Sequence, residues 1–507
     1  MITNYCKLHF IFSHNKIDER STLILEMAER KGFPFSVSVH RLVPGFERVK
    51  EAFCSNFSSG VELGAQLCIY YKGEVVVDLC GRILEPPYRN TDKPVLNDQK
   101  REIMSTLEEY SSTSLQTVFS STKNLTALCI AVLVDRGLLD YSERISTYWP
   151  KFGQNGKDQI TLADVLRHDS GLFRFYRQGQ VDDVKSLQKM CCLVEKSAIR
   201  YFKSKYTPRP YIHDKILPSD GKRRGYHGVS RGIILSCLIS KVDPQQRTVA
   251  SFFRDEIVRI VPGLKDHVFI GMTMTQQKQH HICDMAPYQY RWSQRDPDGK
   301  IYKKYMNKFA KESGIGGSIL MMNAVTPGKL NSTEFRALEI GSMSGIANAR
   351  GLAKLAAIMA GRGSVNGVQI ISEEVFALSH SAIVQKYDDV LLEETRFSQG
   401  GFGQFRMDHT SREYSEGRGS ILGGCNTFGV TGDFYGWGGS GGSVFVWSPD
   451  HALGFAYTMN GMASYVLGGP RTNRIFSALF ESISILMMQE NRSSNFGPNK
   501  STTTSKL

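Results

Sequence analysis

The feature that most constrains the fold of this chain is a segment that is apolar almost all round. Residues 125–134 read LTALCIAVLV and are followed by Gly137, a residue typical of a helix C-terminus. A helix without a polar face is buried, so the rest of the chain has to cover it on every side. The 507 residues, 41% of them hydrophobic, are enough for a large core of the soluble globular type.

Strand patterns lie near both ends of the chain. Residues 64–71 and 74–79 are β-rich and joined by Lys72-Gly73, which predicts a hairpin; residues 442–447 and 452–459 form a second such pair around the turn 448–451. Helical patterns occupy residues 160–166, 230–241, 349–360 and 475–489. This order predicts one α/β domain whose sheet joins early and late segments.

The domain limits follow from the same patterns. Residues 1–42 lack a clear periodic pattern and are interpreted as an N-terminal extension, residues 43–490 as the domain, and residues 491–507 as a flexible polar tail. Within the domain, residues 290–312 are polar, basic and aromatic, which favours an insertion or lid.

Charge, cysteines and hydropathy exclude several classes of function. The net charge is +13, but the Lys/Arg clusters are not interleaved with stacking aromatics, so we expect a solvated basic surface and no nucleic-acid partner. The ten cysteines contain no CxxC pair, which favours free thiols in a reducing compartment. No apolar run approaches the roughly 18 residues that a membrane span needs.

The C-terminal tripeptide is Ser505-Lys506-Leu507, the address read by the peroxisomal import receptor. The residues before it are rich in Ser, Thr and Asn, so we expect the tripeptide to be accessible. This pattern predicts the peroxisomal matrix as the location and the import receptor as a partner, with the cytoplasm as the alternative.

Ser120 and Lys123 form a Ser-x-x-Lys motif at the start of the apolar helix. Residues three apart share a helix face, so the Lys123 amine can reach the Ser120 hydroxyl, and the helix N-terminus favours a developing negative charge. Desolvation beside the apolar helix would lower the pKa of the amine and activate Ser120 as a nucleophile. In the alternative reading Ser120 caps the helix and Lys123 points to solvent.

Two further motifs carry potential chemistry. Tyr226-His227 lies just ahead of a predicted helix, where the phenol of Tyr226 can act as a general base if cations depress its pKa; a half-buried structural tyrosine is the alternative. Residues 436–443 contain five glycines in seven positions and lead into a strand, so their backbone can approach another surface closely and offer N–H groups to an oxyanion. A β-bulge or flexible loop is the alternative there.

Taken in order, these motifs resemble the serine β-lactamase family, particularly its class C branch and the related carboxylesterases. The resemblance covers Val43 to Gln489 and includes residues 161–172, which look like the family's "LLxHTSGL" segment. It implies a β-lactamase/transpeptidase-like fold: a central, mainly antiparallel sheet flanked by helices, plus a mostly helical subdomain.

The resemblance also implies roles for individual residues. Ser120 attacks a carbonyl and forms an acyl-enzyme, and Lys123 and Tyr226 shuttle the proton. The backbone N–H groups of Ser120 and Ser440 hold the oxyanion. No metal or cofactor is implied. Contacts to the substrate are expected from His227, Trp437, Gly438 and Gly439.

Two departures from the family pattern bear on the substrate. Gly228 stands where class C β-lactamases have the Asn of Tyr-x-Asn, and Trp437-Gly438-Gly439 stands where they have Lys-Thr-Gly. The lost lysine would have bound the substrate carboxylate. We therefore expect a small ester, with an amide or lactone as alternatives, and keep two other hypotheses: a catalytically silent scaffold, and a β-lactamase or D-amino peptidase.

Other motif matches are weaker. Residues 438–442 match Gly-x-Ser-x-Gly, with Asp450 and His451 following, and residues 436–441 match Gly-x-Gly-x-x-Gly. Both motifs require a helix next, whereas a strand pattern follows here. His280-His281-x-Cys283 has no recognised metal-ligand spacing.

Overall fold

The structure is a computed structural model that describes residues 33–85, 104–105, 107–176, 181–199, 222–287, 330–391, 393–407, 425–462 and 469–495. The predicted insertion at 290–312, residues 1–32 of the predicted extension and the tripeptide at 505–507 lie outside these ranges.

A nine-stranded antiparallel sheet forms the centre of the described molecule, in the order β1-β3-β2-β15-β14-β13-β12-β11-β10. Strand β15 lies between β2 and β14 and so joins the early and late hairpins, as the sequence predicts. The strands are β1 Phe35–Leu42, β2 Gly64–Tyr71, β3 Glu74–Ile83, β4 Gln116–Thr117, β5 Val268–Ile270, β6 Ala286–Pro287, β7 Gly345–Ala347, β8 Ser364–Val365, β9 Val368–Gln369, β10 Val384–Asp388, β11 Glu393–Phe397, β12 Gly403–Met407, β13 Gly432–Gly438, β14 Val444–Ser448, β15 Leu453–Met459 and β16 Gly461–Met462.

Helices cover the sheet and fill the middle of the chain. Short 3-10 turns span Phe119–Ser121 and Pro150–Gly153, and a π-helical turn spans Arg254–Val258. The α-helices are α1 Glu47–Ser58, α2 Thr122–Asp135, α3 Ile145–Tyr148, α4 Leu162–Leu166, α5 Val181–Val184, α6 Leu187–Lys196, α7 Ser230–Val242, α8 Val249–Phe253, α9 Met274–Gln279, α10 Thr333–Arg336, α11 Ala349–Ala360, α12 Glu373–His380 and α13 Pro470–Asn495.

The two faces of the sheet are covered by different helices. Consecutive residues of a strand point to opposite faces. On β15, a Cβ at Gly454 would lie 2.5 Å from the backbone N of Ala357, so α11 packs directly on that face. The next residue, Phe455, stacks on Phe476 of α13 with ring centroids 4.2 Å apart. Both faces are therefore buried, which explains why β14 and β15 are mostly apolar and buried along their whole length.

Helix α2 is the predicted apolar helix, and residues 122–133 are buried on all sides. It packs against α7, α8 and α12, and the small antiparallel sheet β4-β7-β5 lies next to its N-terminus. The predicted hairpin is also present, with Lys72 and Gly73 at φ 52° and 83°, as its two-residue turn requires. The predicted fold is confirmed.

Several predicted limits are corrected. Residues 35–42 are not part of an extension but form β1, which pairs with β3 and places Phe35 and Val37 in the core. The final helix was predicted at 475–489 and runs over Pro470–Asn495, so it includes the first five residues of the predicted tail. The helix predicted at 160–166 begins only at Leu162, because the Thr161 side chain caps it.

Two general findings apply to the described residues. None of their helices combines the length and apolarity needed to cross a bilayer. The cysteines within these ranges are free thiols, most of them packed in the core.

Candidate active site

Ser120 is the accessible point of a buried segment. Residues 114–133 are all buried except Ser120, which is partly exposed. It lies in the 3-10 turn that leads into α2, directly after Phe119, whose φ of 44° is rare for a residue with a side chain. Such strain persists only where the surroundings impose it, and here it turns the Ser120 hydroxyl out of the core.

Lys123 lies one helical turn after Ser120 and faces the same space. Its Nζ is 3.1 Å from Oγ of Ser120 and donates to the carbonyl oxygens of Gly228 at 2.8 Å and Ser342 at 3.2 Å. The residue is only 1% exposed, so the alternative of a solvent-facing lysine does not hold. The two carbonyls lie more than 100 residues away in sequence and fix the amine beside the hydroxyl.

The electrostatic surroundings disfavour a charged Lys123. Burial, and secondly the positive charge of Arg231, hold the pKa of Lys123 well below its usual value. A neutral amine has two N–H donors and one lone pair. With both donors directed at the carbonyls of Gly228 and Ser342, the lone pair is available to the hydroxyl of Ser120.

Tyr226 closes the other side of the space around Ser120. Its hydroxyl is hydrogen-bonded to Ser120 and accepts the indole N–H of Trp437 at 3.0 Å. Its ring lies under the amine of Lys123, with Nζ 4.8 Å from the ring centroid, and stacks on Trp437 at 5.8 Å. The structure thus brings Ser120, Lys123, Tyr226 and Trp437 together.

The condition for Tyr226 to act as a free base, a pKa depressed by cations, is not met. Burial raises this pKa to about 12, and the hydrogen bonds with Ser120 and Trp437 and the charge of Arg231 offset burial only in part. Tyr226 is therefore a neutral phenol at neutral pH. Since its oxygen already accepts from Trp437, its proton is available for donation, which suits a proton relay better than a free base.

The side chain of His227, from which the resemblance implies a substrate contact, lies inside the protein. It is fully buried: Nδ1–H donates to the carbonyl of Gly225 at 2.6 Å, and Nε2 accepts from the Ser170 hydroxyl at 2.7 Å. Burial lowers its pKa to about 3, so the ring is neutral. Its backbone N–H donates to Nδ1 of His168 at 2.9 Å. The segment 161–172 thus supports the turn that carries Tyr226.

Trp437 is also largely enclosed, being 4% exposed and packed against Phe397 and Phe405 as well as Tyr226. Its indole N–H donates to the Tyr226 hydroxyl and so orients that group. The backbone of Gly438, which was predicted to contact substrate, pairs with Val444 in the β13-β14 ladder.

At one position, the glycine-rich turn approaches the segment before Ser120 closely, as the sequence predicts. A Cβ at Gly439 would lie 2.1 Å from the carbonyl oxygen of Val118, so only glycine fits there. Ser443 bridges the same two elements, donating to the carbonyl of Val118 at 2.8 Å and lying 3.1 Å from Oγ of Ser121. Ser440 follows directly, and its N–H has no hydrogen-bond partner within the ranges that the structure describes.

The far side of this turn is held by a buried ion pair that the sequence did not reveal. Arg471, on α13, donates to the carbonyl of Gly441 and to both carboxylate oxygens of Glu62 at 2.8 Å. Tyr457 also donates to Glu62. The backbone that presents Ser440 is therefore anchored to the core on both sides.

Two more buried residues were missed by sequence reasoning. Asp388, at the end of β10, accepts the backbone N–H groups of Tyr226, Val390 and Leu391 at 2.8–3.0 Å, and so fixes the position of Tyr226. Burial raises its pKa to about 6. Arg231, on α7, donates to the carbonyl of Gly401 at 3.0 Å.

The rival motifs find no support. The Gly-x-Ser-x-Gly and Gly-x-Gly-x-x-Gly motifs both require a helix after the glycines, whereas strand β14 follows Ser440. His451 donates to the carbonyl of Thr431 at 2.7 Å, and Asp450 accepts the N–H of Asp433, so both are occupied in a hairpin turn. Among the described side chains no group of three or more His, Cys, Asp or Glu could hold a metal ion.

Comparison with known proteins places this geometry in a family. The sequence pattern of the Beta-lactamase family matches residues 53–480, which is most of the chain. A curated relative, the esterase/β-lactamase LipL of Mycobacterium tuberculosis (strain ATCC 25618 / H37Rv), is 25% identical over 339 residues. That match covers 66% of this chain and 66% of the relative, just under two thirds of its length.

Solved structures show the same fold. A family VIII carboxylesterase superposes with a TM-score of 0.65 at 24% identity, covering 87% of this chain and 98% of that one. A penicillin-binding protein homolog from Caulobacter crescentus gives 0.62, also at 24% identity and with the same coverage.

Proposed function

The chain belongs to the β-lactamase family, and we propose that it is a serine hydrolase that acts through an acyl-enzyme on a small ester. The observation that carries this proposal is the position of the Lys123 amine, buried beside the one accessible hydroxyl of its segment and bound to two carbonyls. Burial lowers the pKa of this amine, and its position beside Ser120 lets the neutral form take the proton of the hydroxyl.

The proposed reaction uses each group according to its protonation state. As Oγ of Ser120 attacks the carbonyl carbon, its proton passes to the neutral amine of Lys123. The backbone N–H groups of Ser120 and Ser440 stabilise the oxyanion. Tyr226 gives its proton to the departing alkoxide and regains one from Lys123. Water then attacks the acyl-enzyme, the same groups take its proton and return one to Ser120, and the acid leaves.

Two features favour an ester over a β-lactam. Trp437 stands where the resemblance leads us to expect the lysine that binds a substrate carboxylate, and its indole is directed at Tyr226. Gly228 replaces the asparagine of the second motif and offers only its backbone, whose carbonyl is bound to Lys123. The name of the family VIII carboxylesterase is consistent with this choice, whereas that of the curated relative, an esterase/β-lactamase, covers both substrates.

Steady-state kinetics on the purified chain test this function. We expect turnover of short-chain p-nitrophenyl esters at a kcat/KM well above that for a chromogenic cephalosporin or a D-amino acid amide, and loss of turnover in Ser120→Ala. A faster reaction with the cephalosporin or the amide would contradict the ester preference. Equal ester turnover by Ser120→Ala and the unmodified chain would contradict the serine mechanism.

We also propose that the peroxisomal matrix is where the reaction occurs, on the basis of Ser505-Lys506-Leu507 alone. A fluorescent protein fused to the N-terminus should locate to peroxisomes, and deletion of Leu507 should release it to the cytoplasm. Equal distribution of the two fusions would contradict this location.

A further inference from the structure

A cavity of about 400 Å³ lies in the helical subdomain, between α6, α7, the start of α8 and the residues that follow α10. Its wall is largely apolar, with Val184, Met190, Val249 and Leu338 all buried. Its polar lining residues are Lys185, Ser236, Thr248, Glu334 and Glu339, of which Ser236 on α7 and Glu339 after α10 are the two with an unpartnered buried oxygen among the described residues. The volume lies within the usual range of small-molecule sites, about 300–1,000 Å³.

This cavity is separate from the site around Ser120. None of its lining residues belongs to the proposed catalytic group. The segment containing Gly341 and Ser342 lies between the two: a Cβ at Gly341 would lie 3.1 Å from Oγ of Ser236, while the carbonyl of Ser342 binds Lys123.

Both polar groups have an atom without a partner. Oγ of Ser236 is buried, in a residue that is 1% exposed, and Oε2 of Glu339 is buried as well; neither has a hydrogen-bond partner among the described residues. Leaving such atoms unsatisfied costs about 1–3 kcal/mol each, more for a charged one. A ligand that donates hydrogen bonds would remove this cost.

The charge around the cavity indicates which kind of hydrogen-bond donor a ligand should carry. Glu339 and Glu334 both line it and are acidic. Two basic residues lie near them in the described part of the chain, and each is paired with another carboxylate: Lys185 in the wall with Asp182 at 2.8 Å, and Arg254 near Glu339 with Asp255 at 2.9 Å. The lining is therefore net acidic, and a cationic donor gains charge-assisted hydrogen bonds that a neutral donor lacks.

We propose that this cavity is a binding site for a small molecule with an apolar body and a primary ammonium group. The ammonium donates to Oε2 of Glu339 and Oγ of Ser236, and the apolar body fills the space against Met190, Val249 and Leu338. The proposal does not depend on the chemistry at Ser120.

Isothermal titration of the full-length chain with 4-phenylbutylamine tests the proposal. We expect saturable binding that is at least about tenfold tighter than that of 4-phenylbutan-1-ol or 4-phenylbutanoate, which have the same body with a neutral or acidic end. Propylamine, with the ammonium but little apolar body, should bind at least about tenfold more weakly than 4-phenylbutylamine. No saturable binding, or no preference for the amine, would overturn the proposal.

Matched variants locate the site. Glu339→Gln keeps the shape of the side chain and should weaken amine binding about tenfold, whereas Glu374→Gln, at an exposed position on α12 outside the cavity, should change it less than about twofold. Chain whose Ser120 has been blocked with a fluorophosphonate should bind the amine unchanged. Equal effects of the two glutamine variants, or loss of binding in the blocked chain, would place the amine elsewhere and overturn the proposal.

Discussion

Two pairs of buried cations in the domain differ in whether a carboxylate neutralises their charge. Arg224 and Arg471 are each bound by both oxygens of a buried carboxylate: Asp169 at 2.8 and 3.2 Å, and Glu62 at 2.8 Å. Lys123 and Arg231 are equally buried but have no carboxylate partner in the part of the chain that the structure describes.

The paired arginines stabilise the fold, whereas the unpaired cations beside Ser120 influence its reactivity. Arg224 also binds the carbonyls of Val384 and Thr395, and Arg471 binds that of Gly441, so the paired cations connect distant segments. Beside Ser120 a carboxylate would stabilise the charged form of Lys123 and remove its lone pair. Leaving this cation unpaired, with Arg231 nearby, favours the neutral amine that a nucleophilic serine needs.

The largest effect is expected from Lys123→Met. It keeps a long, buried side chain and removes the amine that is placed to take the proton of Ser120, so kcat should fall by about 10³-fold or more. Steady-state kinetics with a short-chain ester measure this effect.

Lys157→Met is the matched control. Lys157 is also buried and donates to three backbone carbonyls, of Gln154, Glu195 and Ser197, but contacts none of the residues placed around Ser120. We expect it to lower the stability and leave kcat close to that of the unchanged chain. Similar losses of kcat in both variants would mean that Lys123 matters only for packing.

The next largest effect is a loss of stability when a buried, paired arginine is replaced. Arg224→Met removes the closer of two cations from the buried Asp169 and leaves Lys386, at 3.3 Å, as the other. It should lower the free energy of unfolding by about 3 kcal/mol. The double variant Arg224→Met/Asp169→Leu removes both charges and should lower it far less. Removal of the more exposed pair through Arg254→Met should cost about 1 kcal/mol or less. Urea denaturation measures all three, and equal costs for the single and double variants would contradict the comparison.

A smaller effect is expected from the unpaired Arg231. Hydrolysis requires the neutral form of Lys123, so kcat/KM should rise as the pH increases through its pKa. The positive charge of Arg231 lowers that pKa, second to burial. Arg231→Met should therefore move the rise to higher pH. Arg231→Lys keeps the charge and should move it less; an unchanged profile in Arg231→Met would exclude this electrostatic role.

The smallest effect is expected from Trp437→Phe. The ring still packs on Tyr226, but the indole N–H bond to its hydroxyl is lost, at a cost of about 1 kcal/mol. This corresponds to a loss of roughly fivefold in kcat, with KM nearly unchanged because Trp437 is mostly enclosed. A large rise in KM instead would show that Trp437 binds substrate, as the sequence alone suggested.

Local patterns were sufficient to predict much of the fold. The hairpin at Lys72-Gly73, the buried helix α2 and the strand pair β14-β15 depend on neighbouring residues, and all are present. Strand β1 was missed although residues 35–39, FSVSV, alternate apolar and polar side chains as a half-buried strand does. The pattern is short and stops before residues 40–42, which are held in the strand by pairing with β3.

Residue spacing alone predicted only the local part of the site, whereas Tyr226 and Trp437 were identified through the resemblance to the family. Ser120 and Lys123 are three residues apart, so their contact follows from the helix. Asp388, Arg231 and the carbonyl of Ser342 reach the site from segments more than 100 residues after Lys123, and no sequence spacing indicates them. The burial of His227 and the raised pKa of Tyr226 likewise depend on the packed interior.

The account depends on a buried, uncharged Lys123 that activates Ser120, and the pH dependence of fluorophosphonate labelling tests this most directly. Labelling should modify Ser120, as peptide mass spectrometry would show, at a rate that rises with pH around a midpoint well below the ordinary lysine value of about 10.4. Lys123→Met should suppress it. An adduct at another residue, or a midpoint at the ordinary lysine value, would contradict the account.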